Sequence, residues 1–225
     1  MIRLTLLASI ASAALLVLPA SAGEPETAAF TSLADEYDAW LKRENPIGAG
    51  FEGDLEALGK LPDASQEADA RRLEEIKSFK ARIDAIPASA LSETDAFDRE
   101  YLAAMLDDML SLAPFDDGRM PFNNDSGFHS LADYLGQATR IRSIEDAEAW
   151  LSRLKALPGY YEQNMANARR GIATGWTQPK LVVERVIAVA KRQAEATPEN
   201  DPLLAPFANL PATLDAAAIA PIRAQ

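Results

Sequence analysis

Apolar side chains recur every three or four residues in segment after segment of this chain, and this spacing constrains its fold more than any other feature. It places the apolar side chains on one side of an α-helix, whereas a half-buried strand alternates apolar and polar residues. No alternating pattern of useful length is present. The sequence therefore predicts an all-α fold.

Capping signals mark several helix starts. A serine precedes an aspartate by three residues at Ser92 and again at Ser143, which is the capping-box arrangement, and Thr177 is the expected N-cap of a later helix. A short connection joins the second and third predicted helices, so we expect antiparallel helical hairpins in an irregular bundle. The predicted helices cover approximately residues 29–41, 65–86, 92–109, 130–137, 143–157, 158–171, 177–196 and 213–220.

Glycine and proline indicate the connections. Residues 44–53 contain a proline and three glycines, and we expect a loop there. An irregular connection of more than a dozen residues follows Pro114, a length that is uncommon unless the loop is functional. The proline-rich tail after residue 197 is expected to be mostly extended or turned.

The N-terminus has the features of a secretory signal peptide. One positive charge precedes an apolar run from Leu4 to Leu18, and small residues stand at Ala20 and Ala22. We expect residues 1–22 to be removed by cleavage after Ala22, leaving residues 23–225 as a helical domain that is periplasmic or secreted. No cysteine is present at the cleavage point to carry a lipid, so we expect no membrane association after cleavage.

Charge and cysteine content exclude several classes of function. The chain has 34 acidic and 22 basic residues, for a net charge of −12, which disfavours nucleic acid as a partner. It has no cysteine, so neither disulfides nor thiolate chemistry are available.

The only histidine lies in the long connection. Asp125, His129 and Asp133 are spaced by four residues, which on a continuous helix would align three possible metal ligands. A helix that begins near Phe128 would instead leave Asp125 or Ser126 as its N-cap and His129 in its first turn. We favour this structural role over metal binding.

Known catalytic patterns are missing. A zinc peptidase of the His-Glu-x-x-His type needs two histidines one helical turn apart, and the chain has one. A serine triad with His129 is formally possible, but there is no Gly-x-Ser-x-Gly elbow. The Asx-rich residues 123–127 lack the ligand pattern of an EF-hand. We therefore predict no catalytic residue and no metal ligand in this chain.

Residues 168–180 form the most distinctive segment, with paired arginines at a helix end, two glycines and a tryptophan. Arg169 or Arg170 could bind a substrate carboxylate with two parallel hydrogen bonds. In the alternative interpretation, these cations complement the helix C-terminus and Trp176 packs into the core.

Five segments of the chain stand out together, namely residues 91–95, 97–102, 120–122 with 127–129, 150–158 and 170–179. In this order they resemble the N-terminal half of the bacterial domain of unknown function 885 family. The resemblance runs from about residue 33 to about residue 207, and residues 170–179 carry its most specific part. It implies an exported, almost wholly helical protein that is similar to zinc metallopeptidases of the carboxypeptidase Taq type.

Zinc is expected for full-length members of that family, whose metal motif lies in the C-terminal half. No residue here matches the motif, so no cofactor is expected in this chain and no residue is carried over as a metal ligand. The resemblance instead implies positions near or beneath the substrate groove. These substrate-groove candidates are His129, Asn123, Arg169, Arg170 and Trp176.

Our functional interpretation is therefore the N-terminal region of a zinc-dependent peptidase, truncated or naturally short, and inactive alone. Its partners would be a peptide substrate or the missing C-terminal half. The alternative is a periplasmic helical module that binds a peptide or a protein, and a self-contained hydrolase based on His129 has the least support. Half of a larger domain should expose apolar surface where the remainder would dock.

Overall fold

The computed structural model describes residues 23–208 and 210–224, so the predicted signal peptide, residues 1–22, lies outside the described residues. Within them the chain forms eight α-helices and several 3₁₀ turns, with one isolated β-bridge between Phe122 and Gly127 and no strand. The predicted all-α class is confirmed. The helices are α1 (Glu24–Glu44), α2 (Pro46–Phe51), α3 (Gln66–Asp84), α4 (Glu93–Leu112), α5 (Phe128–Ala138), α6 (Ile144–Thr174), α7 (Lys180–Ala194) and α8 (Ala216–Arg223).

Helices α1, α3 and α4 enclose the first of two apolar cores. Tyr37, Trp40 and Phe79 pack with ring centroids 5.3 to 5.8 Å apart at its centre. Arg99 of α4 donates to the main-chain oxygens of Ile83 and Ile86 at the end of α3. The two helices run antiparallel, as the hairpin prediction required.

A second apolar core lies between α5, α6, α8 and the 3₁₀ turn Pro202–Phe207. Its centre is Trp150, which is buried and donates its indole N–H to the main-chain oxygen of Leu203 at 3.0 Å. The proline-rich tail, expected to be mostly extended or turned, therefore folds back as a packed part of the domain. The buried residues of this core are Leu135, Ile141, Ala147, Trp150, Phe207, Ile219 and Ile222.

Arg153 of α6 ties the connection between α2 and α3 to the second core. Its side chain is 2 % exposed and donates to the main-chain oxygens of Lys60 and Ala57, each at 3.0 Å. Burial lowers the pKa of the Arg153 guanidinium to about 10. A charged side chain thus satisfies two carbonyls in a place where water is excluded.

The predicted loop at residues 44–53 was wrong, because α2 forms within it. Asn45 caps that helix by accepting from the main-chain N–H of Gly48, and Pro46 occupies the first turn, where its missing N–H costs nothing. Local capping chemistry therefore outweighs the helix-breaking tendency of the glycines.

Two other boundary predictions were also wrong. The helices predicted on either side of Pro158 are one continuous helix, α6, with Pro158 inside it. Buried residues continue on both sides of that proline, from Trp150 to Asn167, and this packing compensates for the lost hydrogen bond. Thr177 does not cap α7, which begins at Lys180 with Pro179 as its N-cap.

Candidate functional site

The connection before α5 is a compact turn. The side-chain oxygen of Asn123 accepts from the main-chain N–H groups of Asp125 and Ser126, each at 2.8 Å. Gly127 follows with a φ of 144°, and a Cβ there would lie 2.5 Å from Phe122. Only glycine fits this position without strain.

This geometry corrects the predicted cap of α5. Gly127 is the N-cap, without a side-chain hydrogen bond, so neither Asp125 nor Ser126 has that role. His129 does lie in the first turn, as predicted. Asn123, one of the groove candidates, shapes the turn and is itself exposed.

His129 lines a cavity of about 360 Å³ between α5, α6, α7 and the 3₁₀ turn Pro202–Phe207. The side chain is 6 % exposed. Most of the lining is apolar, and four more polar side chains reach it. The lining residues are Phe128, His129, Ala132, Asp133, Tyr161, Ala190, Gln193, Asp201, Pro202 and Leu203.

The main-chain oxygen of His129 has a hydrogen-bond partner, but within the described part of the chain its ring atom Nδ1 does not. Its ring packs edge-on against Phe122 and Phe128, with centroids 6.0 and 6.3 Å away. Its main-chain oxygen accepts from Gln193 Nε2 at 2.8 Å. The ring atom Nδ1 is buried and has no hydrogen-bond partner among the described residues. An orphaned buried nitrogen is uncommon and costs stability unless a ligand or water satisfies it.

Burial favours the neutral forms of His129 and Tyr161 in this cavity. Burial lowers the pKa of His129 below its ordinary value of 6.5, while the charge of Asp133 opposes this shift. Burial is also the main reason why the pKa of Tyr161 is raised, and Asp133 adds to that rise. At neutral pH the cavity therefore presents a neutral imidazole and a neutral phenol beside a carboxylate.

Arg169 and Arg170, either of which could bind a substrate carboxylate, have different surroundings in the structure. Arg170 bonds to Asp116 Oδ2 at 2.7 Å and to Asn167 Oδ1 at 3.1 Å, so its guanidinium already has anionic and polar partners. Asp116 reaches it from a left-handed conformation, with φ 46°. Arg169 is exposed on the other side of α6.

Trp176 lines a second, smaller cavity. The guanidinium carbon of Arg119 lies 4.9 Å from the centroid of the Trp176 ring, and the tryptophan is 36 % exposed, so it is not a core residue. The cavity measures about 220 Å³ and is almost wholly apolar. Its other lining residues include Met120, Phe122, Ile172, Gln178 and Val183.

Phe122 separates the two cavities. It lines the Trp176 cavity, its ring contacts His129, and its main-chain oxygen accepts from Gln178 Nε2 at 2.7 Å. Helix α7 borders both spaces, with Val183 in one and Gln193 in the other. The structure thus brings His129 and Trp176 into one neighbourhood, with Asn123 at its edge.

Sequence reasoning did not identify three residues of this neighbourhood, namely Tyr161, Gln193 and Arg119. In the sequence Tyr161 only continues the apolar spacing of a helix, and Gln193 has no local signature. Arg119 follows a turn-forming Asp-Gly pair, which could have drawn attention to it.

The side chains present do not fit a zinc centre. Within residues 23–208 and 210–224, no group of three or more acidic or histidine side chains is placed to hold a metal ion. Asp125, the third member of the spaced triplet, belongs to the exposed turn and not to α5. We therefore assign no step to a bound metal here.

A protein-family model decides the family. The model described as bacterial protein of unknown function (DUF885) matches residues 46–225, which is most of the chain. The chain belongs to this family. Comparison of the DUF885 chain with curated proteins and with solved structures gives no significant match. None of its described helices is both long and apolar enough to cross a membrane.

Proposed function

We propose that this DUF885 chain is exported and forms the N-terminal, substrate-binding region of a zinc-dependent peptidase similar to the carboxypeptidase Taq type, without hydrolytic activity of its own. The observation that carries this proposal is the pair of adjoining cavities at His129 and Trp176. Both cavities present polar and aromatic side chains that can contact a ligand. Among the described residues, neither cavity contains a nucleophile paired with a base or a set of metal ligands.

The two cavities suit neighbouring groups of an extended peptide. Their volumes, about 360 and 220 Å³, are sufficient for individual side chains or a chain terminus. Phe122 lies between them, and aromatic surfaces provide apolar contact with little conformational entropy to lose. One cavity carries Asp133 and His129, whereas the other is mostly apolar and has no acidic side chain in its lining, so the two should differ in specificity.

The polar groups near His129 do not form a hydrolytic pair. Ser130 is adjacent in sequence, but its hydroxyl donates to the main-chain oxygen of Gly127 at 3.2 Å. With a single histidine the chain also lacks the two imidazoles of a His-Glu-x-x-His centre. Binding without cleavage is therefore the function that these residues support best.

Metal content and peptidase activity test the proposal together. The purified chain should contain less than stoichiometric zinc by mass spectrometry and should not cleave fluorogenic peptides in a chelator-sensitive manner. Stoichiometric zinc with chelator-sensitive cleavage would overturn it. His129→Gln would then be the first variant to assay.

Export has its own test. The N-terminal residue of the protein recovered from the periplasm or medium should be Gly23, as measured by intact mass. An uncleaved cytoplasmic product would remove the exported part of the proposal.

A second candidate is the helical binding module, which would use exposed apolar surface to bind its partner. The same surface is expected if the chain is half of a larger domain, so a partner must decide between the two. No side chain of α7 is buried, although the helix contains Leu181 and Ile187, and α4 exposes a row of large apolar residues. A zinc-bearing C-terminal region encoded downstream, which binds this chain and gives a cleaving complex, would favour the peptidase. A chain that binds peptide or protein without such a region would favour the module. The exposed residues on α4 are Phe97, Tyr101, Met105 and Leu112.

A further inference from the structure

The His129 cavity has an anion without a counter-ion. Asp133 is half-buried and makes no hydrogen bond or ion pair with any described residue, although it acts electrostatically on both His129 and Tyr161. A carboxylate near an apolar wall loses hydration, and a cation close to it recovers that loss. None of the described residues that line this cavity is a lysine or an arginine.

The charges around the cavity all favour a positive ligand. Its lining includes two carboxylates, Asp133 and Asp201, and neither lysine nor arginine. Asp201 is already engaged in part, since it accepts from the main-chain N–H of Leu203 at 2.9 Å. Asp133 also borders an adjoining space, whose lining includes one cation, Arg192, and one further carboxylate, Glu195. Asp133 is therefore the carboxylate of this cavity that most lacks a positive partner.

His129 adds an unpartnered polar side chain to the cavity wall beside this charge. It is nine-tenths buried, it lines the cavity, and its Nδ1 has no partner among the described residues. In the neutral ring one nitrogen can accept a hydrogen bond. Asp133 stands four residues later on α5, so the imidazole and the carboxylate face the same side of the helix.

The other lining residues and the cavity volume indicate the size and polarity of the rest of the ligand. Phe128 and Tyr161 pack edge to face, with centroids 5.8 Å apart, and Ala190 and Leu203 complete an apolar wall. The volume of about 360 Å³ is at the small end of ligand pockets. Aromatic faces also attract cations.

We propose that this cavity binds a primary ammonium group carried on a small apolar body, with Asp133 as the counter-ion and the His129 imidazole beside it in the cavity wall. The ammonium group could belong to a free amine or to the N-terminus of a peptide. The assignment rests on the proposed role of this region in binding, and it specifies the chemistry that the region recognises.

The single histidine makes the test direct. Because His129 is the only histidine in the chain, its ring protons give an unambiguous NMR signal. Benzylamine is titrated into the protein, with benzyl alcohol and benzoate as probes of matched size that are neutral and anionic. We expect a saturable shift of the His129 signal with benzylamine and at least about tenfold weaker binding of the other two.

Two aspartate variants test whether benzylamine binding depends on the Asp133 carboxylate itself or only on the net negative charge of the protein. Asp133→Asn should weaken benzylamine binding by about tenfold or more. Asp125→Asn removes the same charge from the exposed turn nearby and should leave binding unchanged. Thermal melts establish that both variants are folded. Equal binding of benzyl alcohol, or equal weakening by the two variants, would overturn the proposal.

A comparison of two peptides shows whether the ammonium group belongs to a free amine or to a peptide N-terminus. It also separates failure of the amine assignment from failure of the proposed binding function. Phenylalanyl-alanine is compared with its N-acetylated form by the same NMR signal and by tryptophan fluorescence, with a Trp176→Phe variant to identify the contribution of Trp176 among the three tryptophans. Binding of benzylamine alone indicates a free amine, and binding of the unblocked peptide indicates a chain terminus. If benzylamine fails but acetylated peptides bind near Trp176, the amine assignment falls and the binding function stands. If no probe binds, both fall.

Discussion

At the scale of single residues, His129 links pH to stability. Burial holds the pKa of its imidazole below the ordinary value of 6.5, so the unfolded chain takes up a proton more readily than the folded one. The stability that this histidine contributes is fully present above pH 6.5 and is lost as pH falls through its native pKa.

Replacement of this histidine should remove that dependence. The wild-type chain should be less stable at about pH 5.5 than at about pH 7.5, and His129→Gln should show a smaller difference between these two values. Urea denaturation of both proteins at both pH values measures this difference in the free energy of unfolding. An unchanged difference in the variant would assign the pH effect to the carboxylates.

Arg153 provides a second prediction at this scale. Arg153→Met should reduce the free energy of unfolding by about 2 kcal/mol, because the carbonyls of Ala57 and Lys60 lose their donor inside the protein. The expected fall in melting temperature is about 4 to 8 °C. Arg169→Met, at an exposed position of the same helix, is the control and should have little effect.

At the scale of elements, α6 contains two glycines with opposite surroundings. A Cβ on Gly171 would lie 2.3 Å from the main-chain oxygen of Arg119, whereas one on Gly159 would meet nothing within 4 Å. Gly159→Ala should stabilise the protein by about 0.5 to 1 kcal/mol, because alanine has less freedom to lose. Gly171→Ala should destabilise it and displace the turn that carries Arg119. Thermal unfolding of the two variants gives the comparison, and equal effects would contradict it.

The sequence predicted elements best where the deciding chemistry is local. Ser92 and Ser143 do begin helices, since each accepts a hydrogen bond from the main-chain N–H three residues later. Pro158 misled the prediction because packing on both sides keeps α6 continuous. The position of His129 in its helix followed from the sequence. Its cavity did not, because Tyr161 and Gln193 reach it from helices far along the chain.

At the scale of the whole molecule, exposed apolar residues predict association. Phe97 and Tyr101 are 68 % and 62 % exposed on one face of α4. The weight-average mass in analytical ultracentrifugation should therefore rise with concentration. Phe97→Ser with Tyr101→Ser should reduce this rise without lowering the melting temperature.

Leu55→Ser provides the matched control for that experiment, because it removes an equally exposed apolar side chain outside α4. A wild-type chain that stays monomeric at all concentrations would contradict the prediction. Equal effects of the α4 and Leu55 variants would show that association does not depend on this face.

Helix α7 borders both cavities while none of its side chains is buried. Its amide hydrogens should therefore exchange with solvent through local opening of this helix alone, faster than those in the buried turns of α6. A ligand in either cavity would contact the helix and reduce that opening. Occupation of one cavity then lowers the entropy that remains to be lost at the other, so two ligands would bind with positive cooperativity even without a change of shape.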